Sequence, residues 1–142
     1  MEAKKNSTNF LKIFIDNMPF PVFIKDELRR YAFINEQEAQ LFNLKSCEII
    51  GKTDADFLKD KSEIKLIEKS DEDVLSGKKV ELPNQIFSLK DGRTYIFKTY
   101  KFPIINPNTG KVNVFGISTD VTDSVSLTKL KKVLILNSNP YT

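Results

Sequence analysis

Residues 111–123, KVNVFGISTDVTD, constrain this chain more than any other stretch, because a strand long enough to cross a domain runs straight into a helix start. Val112, Val114, Gly116 and Ser118 alternate with Asn113, Phe115, Ile117 and Thr119, and the second set is apolar enough to need covering as well. Both faces are therefore expected to be buried, which makes this a central strand. It leaves its sheet through Asp120-Val121-Thr122-Asp123, where Thr122 or Asp123 can accept a backbone N–H as a helix cap. Beyond it, residues 124–136 place Leu127, Leu130 and Leu134 at helical intervals. A buried strand is thus wired to an exiting helix.

The rest of the chain supplies neighbours for that strand. Phe10, Leu11, Ile13 and Phe14 recur at helical spacing after Ser7-Thr8-Asn9, which predicts a short amphipathic helix capped there and stopping before Pro19. Residues 21–25 and 30–34 read as a hairpin turned by Asp26-Glu27. Asn35 is placed to cap a helix over 36–42, Ser46 to cap another over 47–50 that ends at Gly51, and 54–57 reads as a single turn. Ile64, Ile67, Val74 and Leu75 mark a longer helix over 60–76, closed by Gly77. A second hairpin follows, 80–89 and 94–105, around Lys90-Asp91-Gly92, with Pro83 demanding a bulge or an edge. The turn 106–110 then delivers the chain into the opening strand. Five strands in local hairpins, interrupted by one helical excursion, give an α+β fold with an antiparallel sheet and helices over one face.

Composition narrows the function. A chain of 142 residues with 29% charged and 40% hydrophobic residues is of a size for one globular, soluble domain. Its 22 basic and 19 acidic residues are interleaved, so no basic stripe suited to nucleic acid forms. One cysteine cannot make an internal disulfide, the N-terminus is polar, and no apolar run reaches the ~20 residues that cross a bilayer. A cytoplasmic segment without membrane contact is expected, and a longer parent protein with a membrane anchor is compatible with that. The absence of histidine removes His-based acid–base chemistry and serine or cysteine triads. One cysteine cannot build a zinc site, and no glycine-rich phosphate loop is present among 5 glycines.

The order MPFPVFIKD, RRYAFIN, IIGKTDADF, DEDVLSGK, DGR, KFPI and GISTDVTD over residues 17–123 resembles the PAS domain, the small sensory module of bacterial signalling proteins. The resemblance implies a five-stranded antiparallel sheet in the spatial order 2-1-5-4-3, with short helices and one longer helix walling a cavity over one face. It divides the chain into an N-terminal amphipathic helix (1–18), the PAS domain (19–123) and an exit helix or linker to a C-terminal effector (124–142). Haem-binding members use a histidine, which is lacking here. Light-sensing members bind flavin beside a cysteine where this chain has Asp54, and their final-strand glutamine corresponds to Ser118. Neither haem nor flavin–cysteinyl chemistry is expected.

The family register also turns Lys25, Phe97, Thr99, Lys101 and Ser118 toward the cavity, with Asp71 of the long helix opposite. Two lysines and a carboxylate in a small cavity must pair with one another, bind an anion or stay wet, because burying them unpaired is expensive. Asp54 and Asp56 read as charging and capping a helix start rather than as an acid–base pair or a metal site, and Cys47 as a partly buried small residue rather than a redox centre. In the family, Asp120 and Thr122 join the core to the output helix. Phe10, Phe14, Phe115 and Ile117 belong to the usual dimer contact, and the N-terminal helix is expected to cover an outer sheet face made of Ile96, Tyr100, Phe102, Phe115 and Ile117, or to pack on its twin.

These readings imply a non-catalytic regulatory module of a bacterial signalling protein, such as a sensor histidine kinase or a cyclic-dinucleotide enzyme. It would form a homodimer, sense a small metabolite in the cavity, with an anion as the candidate, and act on a C-terminal effector through Asp120 and Thr122. The alternative is a ligand-free platform for dimerisation. A small enzyme is disfavoured because no base and nucleophile can be paired.

Overall fold

The expected central strand occupies Val112–Asp120 and has a neighbour on each side in the computed structural model, which describes residues 2–125, with side chains from residue 9 onward. Helix α1 spans Glu2–Asp16, followed by strands β1 (Val22–Lys25) and β2 (Tyr31–Ile34). Helices α2 (Glu36–Phe42) and α3 (Ser46–Ile49), a 3-10 turn (Asp54–Asp56) and the longer α4 (Lys61–Leu75) come next. Strands β3 (Val80–Ser88), β4 (Thr94–Ile105) and β5 (Val112–Asp120) complete one antiparallel sheet in the order β2-β1-β5-β4-β3.

Local chemistry accounts for most boundaries. The Asn35 side chain accepts the Glu38 amide that opens α2 and the Val22 amide of β1, while its own amide donates to the carbonyls of Ile15 and Phe20. One buried residue therefore ties α1, β1 and α2 together. Asp60 accepts the Ser62 and Glu63 amides that begin α4, and Gly77 follows the helix at φ +106°, a conformation open to a residue without Cβ. The ladder between β3 and β4 slips between Leu82 and Gln85, so Pro83 and Asn84 form the expected bulge. Gly116 is required by packing: a Cβ there would lie 2.0–2.5 Å from the Phe23 ring.

Three expected boundaries differ. Helix α1 begins at Glu2, so Ser7, Thr8 and Asn9 lie inside it rather than capping it; no glycine or proline interrupts residues 2–9, and a helix once nucleated propagates through them. At α3, Ser46 is the first helical residue and Lys45 holds the cap position, its amide donating to the Glu48 carboxylate. At the end of β5 the cap is Asp120, which accepts the Thr122 amide, and Thr122 is already helical. The leucine stripe at Leu127, Leu130 and Leu134 lies outside the described residues.

The core lies between the inner sheet face and α2–α4. Phe23, Tyr31, Phe42, Phe87 and Phe97 form a chain of edge-on rings there, with Ile49, Leu58, Ile67, Val74 and Val114 filling between them. The outer face carries the expected apolar rungs, Tyr100 opposite Ile117 and Phe102 opposite Phe115, with the last pair's rings 4.7 Å apart. Helix α1 does not cover them. Its end is tied to α2 through the Gln37 amide and the Glu36 N–H, which both donate to Asp16, and this leaves Phe10 and Phe14 70% and 60% exposed.

Candidate functional site

Alternation along β4 sends Phe97, Thr99 and Lys101 to the inner face, and the register with β5 sets Thr99 against Ser118 and Lys101 against Gly116. The bare Gly116 makes room for the Phe23 ring beside Lys101, and β1 delivers Lys25 next to Val114 of the same strand. From the opposite wall, α4 presents Ser70 and Asp71 on the stripe that also buries Ile67 and Val74. All six residues expected to line the cavity are buried, Lys25 at 1% exposure.

The two lysines are answered within the chain. Asp71 accepts from Lys25 at 2.8 Å and from Lys101 at 2.7 Å, one oxygen for each ammonium. Lys101 also donates to the Ser70 hydroxyl at 2.8 Å, and Lys25 donates to Asp54. Asp54 accepts a further bond from the Tyr31 hydroxyl. This corrects the reading of Asp54 as a cap: Asp56 alone caps that turn, accepting the Thr53 amide, while Asp54 faces inward. Thr99 and Ser118 share a hydroxyl–hydroxyl bond of 2.9 Å beside the network.

Burial and charge set the protonation states in opposite directions. Burial alone would lower the Lys25 ammonium, but Asp54 and Asp71 together outweigh it and raise its pKa above the usual lysine value. Lys101 is lowered, by burial first and then by Lys25, because its one carboxylate is shared. Burial works to raise Asp71, yet the two ammoniums hold it below the usual carboxylate range. Burial, then Asp54, raises the Tyr31 phenol. Glu38, 4% exposed on α2, is pushed up to about 8 by burial and then by Asp54, so it carries its proton at neutral pH.

A cavity of about 20 Å³ is lined by Lys25, Phe97, Lys101 and Ser118 of the expected set, with Tyr31, Glu38 and Asp54; Asp71 and Thr99, expected there, are not among its lining residues, because the ammoniums and the Ser118 hydroxyl stand in front of them. That volume holds about one water. Glu38 is the exception to the pairing, since no described residue hydrogen-bonds its carboxyl. Sequence reasoning missed Glu38, Tyr31, Asp54 and Ser70. Glu38 sits four residues before the buried Phe42 and Ser70 three after Ile67, so helical spacing could have found both. For Asp54 no local signal existed.

Asp120 and Thr122 form a connected exit. The Thr122 hydroxyl donates to Asp120 at 2.6 Å and accepts the Ile96 amide of β4, while the Val121 amide donates to the Ile96 carbonyl. Two strands are thereby tied to the first turn after the sheet. Cys47 is exposed rather than partly buried, because the short α3 buries only Ile49. Among the described residues no cluster of three or more metal-ligating side chains occurs, and no helix is long and apolar enough to cross a membrane.

Comparison with known proteins places this geometry. The family profile described as PAS fold matches residues 15–126. A diguanylate cyclase of Vibrio cholerae is 32% identical over 108 residues, which are 75% of this chain and 33% of that protein. The chain thus spans about a third of the curated relative it matches. The PAS domain of an HTR-like protein from Haloarcula marismortui superposes with a TM-score of 0.63 at 16% identity, over 84% of this chain and 95% of the other. The PAS domain of nitrogen regulation protein NR(II) from Vibrio parahaemolyticus gives 0.62 at 15% identity, over 77% and 95%. At such identities these two structures speak for the fold.

Proposed function

The chain belongs to the PAS fold family, whose members are sensory modules, and from that premise we propose that it is a non-catalytic regulatory module that pairs with a second copy of itself and controls a C-terminal effector. One observation carries this reading: α1 holds Phe10, Leu11, Ile13 and Phe14 in solvent, on the same chain whose outer sheet face is apolar and only partly covered. Two such surfaces bury one another when two copies meet, and a helix end anchored through Asn35 and Gln37 presents the stripe in a fixed direction. In this reading residues 1–18 make the contact, 19–123 form the module and 124–142 lead to the effector. The relationship to a diguanylate cyclase favours a cyclic-dinucleotide enzyme as that effector in a bacterial, cytoplasmic parent, and a sensor histidine kinase is the other candidate. Asp120 and Thr122 couple the two, because they bond β4 and β5 to the exit at once.

Sedimentation equilibrium tests the pairing. A dimer is expected for the natural sequence and a monomer for Phe10→Glu/Phe14→Glu; a monomer in both, at high concentration, would refute it.

A second reading has the module sense a small molecule in the inner cavity, and the unpartnered Glu38 favours it. With both ammoniums matched by carboxylates, the free group is an acid, so a hydrogen-bonding neutral or cationic ligand suits the cavity better than the anion expected from the lysines alone. A ligand larger than water must then displace part of the network, which is how binding would favour one of two arrangements. Native mass spectrometry of the freshly purified protein decides: a retained small molecule supports sensing, and a clean dimer mass supports the platform.

A further inference from the structure

Apart from the cavity and the α1 stripe, one place combines apolar walls with an unsatisfied buried charge. Pro83 and Asn84 drop out of the β3–β4 ladder, β3 is an edge strand, and the bulge opens a cleft of about 360 Å³ against the start of α4. Leu66, Leu82, Pro83 and Ile86 form its walls, and Leu66 and Ile86 are exposed. Its volume falls within the range of small-molecule sites.

Glu63 stands in the wall of this cleft on the first turn of α4. Its side chain belongs to the buried set at 8% exposure, and its Oε1 is shielded from solvent with no hydrogen-bond partner. None of the described lysines or arginines pairs with it. Beside it, the Gln85 side-chain amide makes no hydrogen bond to a described residue. Buried polar groups are nearly always satisfied, so an acceptor left open at an apolar cleft marks a place where a donor is missing.

We propose that the cleft between the start of α4 and the bulge of β3 is a second ligand site, which takes a small organic ammonium ion with its apolar body against Leu66 and Ile86 and its charge on Glu63. A cation is selected because the unsatisfied group is a carboxylate without a counter-charge, and an apolar body is selected by the walls. Turning the Glu63 carboxylate toward the cleft exposes Oε1 to the ammonium. Gln85 gives the site a route to the exit: it also lines the inner cavity, it pairs with Phe97, and Phe97 pairs with Asp120, so the three form one rung across β3, β4 and β5.

Amide NMR of the 15N-labelled chain tests this, with phenethylammonium chloride as probe and 3-phenylpropionate as its charge-reversed counterpart. Saturable shifts are expected at Glu63, Gln85 and Ile86 with the ammonium alone, extending to Asp120, and a loss of affinity of about tenfold or more in Glu63→Gln. Leu66→Ala, on the exposed wall, should weaken binding several-fold and stands in should Glu63→Gln fold poorly. The Phe10→Glu/Phe14→Glu variant should titrate unchanged, which separates this site from the pairing of copies. No saturation, equal shifts with the carboxylate, unchanged affinity in both cleft variants, or binding only of a lysine-bearing peptide would overturn the site. Shifts that stop at Ile86 would overturn the link to Asp120.

Discussion

On the inner face of the sheet Lys25, Thr99, Lys101 and Ser118 are buried and each ammonium meets a carboxylate, whereas on the outer face Tyr100, Phe102, Phe115 and Ile117 are apolar and only partly covered. The inner face thus holds a paired charge network within an aromatic core, while the outer face carries apolar groups with partial cover. Charges in a low-dielectric interior tolerate few arrangements, so the network joining β1, β4, α4 and the 3-10 turn fixes how the helices sit on the sheet. An apolar face is indifferent to detail and gains from any close cover, which is why the proposed contact with a second copy falls there. The exit at Asp120 and Thr122 leaves the edge shared by both faces.

The sharpest way to break the comparison is to remove the acceptor common to both lysines. Asp71→Ala leaves Lys101 without a carboxylate and Lys25 with one, and it should cost about 3–5 kcal/mol in urea unfolding. A loss below about 1 kcal/mol would mean that the inner charges do not lock the helices.

Next in size is the pH dependence of Glu38. Folded, it holds its proton up to about pH 8, against an ordinary value of 4.5. Between those values the unfolded chain has released a proton that the native state keeps, so stability falls as pH rises, by a total on the order of a few kcal/mol. Glu38→Gln should remove that loss, gaining on the natural sequence between pH 5 and pH 8.5. Because Glu38 is coupled to Asp54, Lys25 and Lys101, the difference between the two proteins reads the acid together with its influence on those neighbours. Parallel urea midpoints across that range would show that Glu38 is not buried as a neutral acid.

At the exit the expected effect is smaller. Asp120→Ala forfeits the bonds from the Thr122 amide and hydroxyl and should cost about 1 kcal/mol; if the proposed coupling holds, the same change in a protein that joins this module to an effector should uncouple cue from output. Normal output from a folded Asp120→Ala protein would leave the residue as a cap and nothing more. Smallest of all, Phe14→Glu should change the stability of the monomer by less than about 0.5 kcal/mol, because the ring is already in water. A larger loss at concentrations where the chain is monomeric would show that the stripe packs on its own sheet, and the contrast between the two faces would fail.

Local sequence rules reached much of this architecture. Asn35, Asp60 and Gly77 bound α2 and α4 as their chemistry dictates, Pro83 produced its bulge, and alternation on β4 assigned Phe97, Thr99 and Lys101 to one face. What escaped were groups whose partners lie far along the chain. Asp54 and Asp56 look alike in the sequence, two residues apart after Thr53, and either could cap; a 3-10 turn sends one outward and the other 29 residues back to Lys25. The start of α1 escaped for a different reason: favourable caps at 7–9 yield to a helix that already exists upstream.

The sequence by itself determined the strands, the turn between each pair and which residues of a strand share a face, because alternation, caps and glycine act within a few residues. The family resemblance added that Lys25 and Lys101 turn inward beneath α4, and it left pairing, anion and water open. Only the tertiary structure decided how they are satisfied, since the choice among pairing, anion and water depends on which carboxylates a turn and a helix bring within 3 Å of each ammonium. The same holds for α1: its amphipathic pattern states that an apolar stripe exists, and the anchoring of its end at Asn35 and Gln37 decides that the stripe faces solvent rather than the sheet.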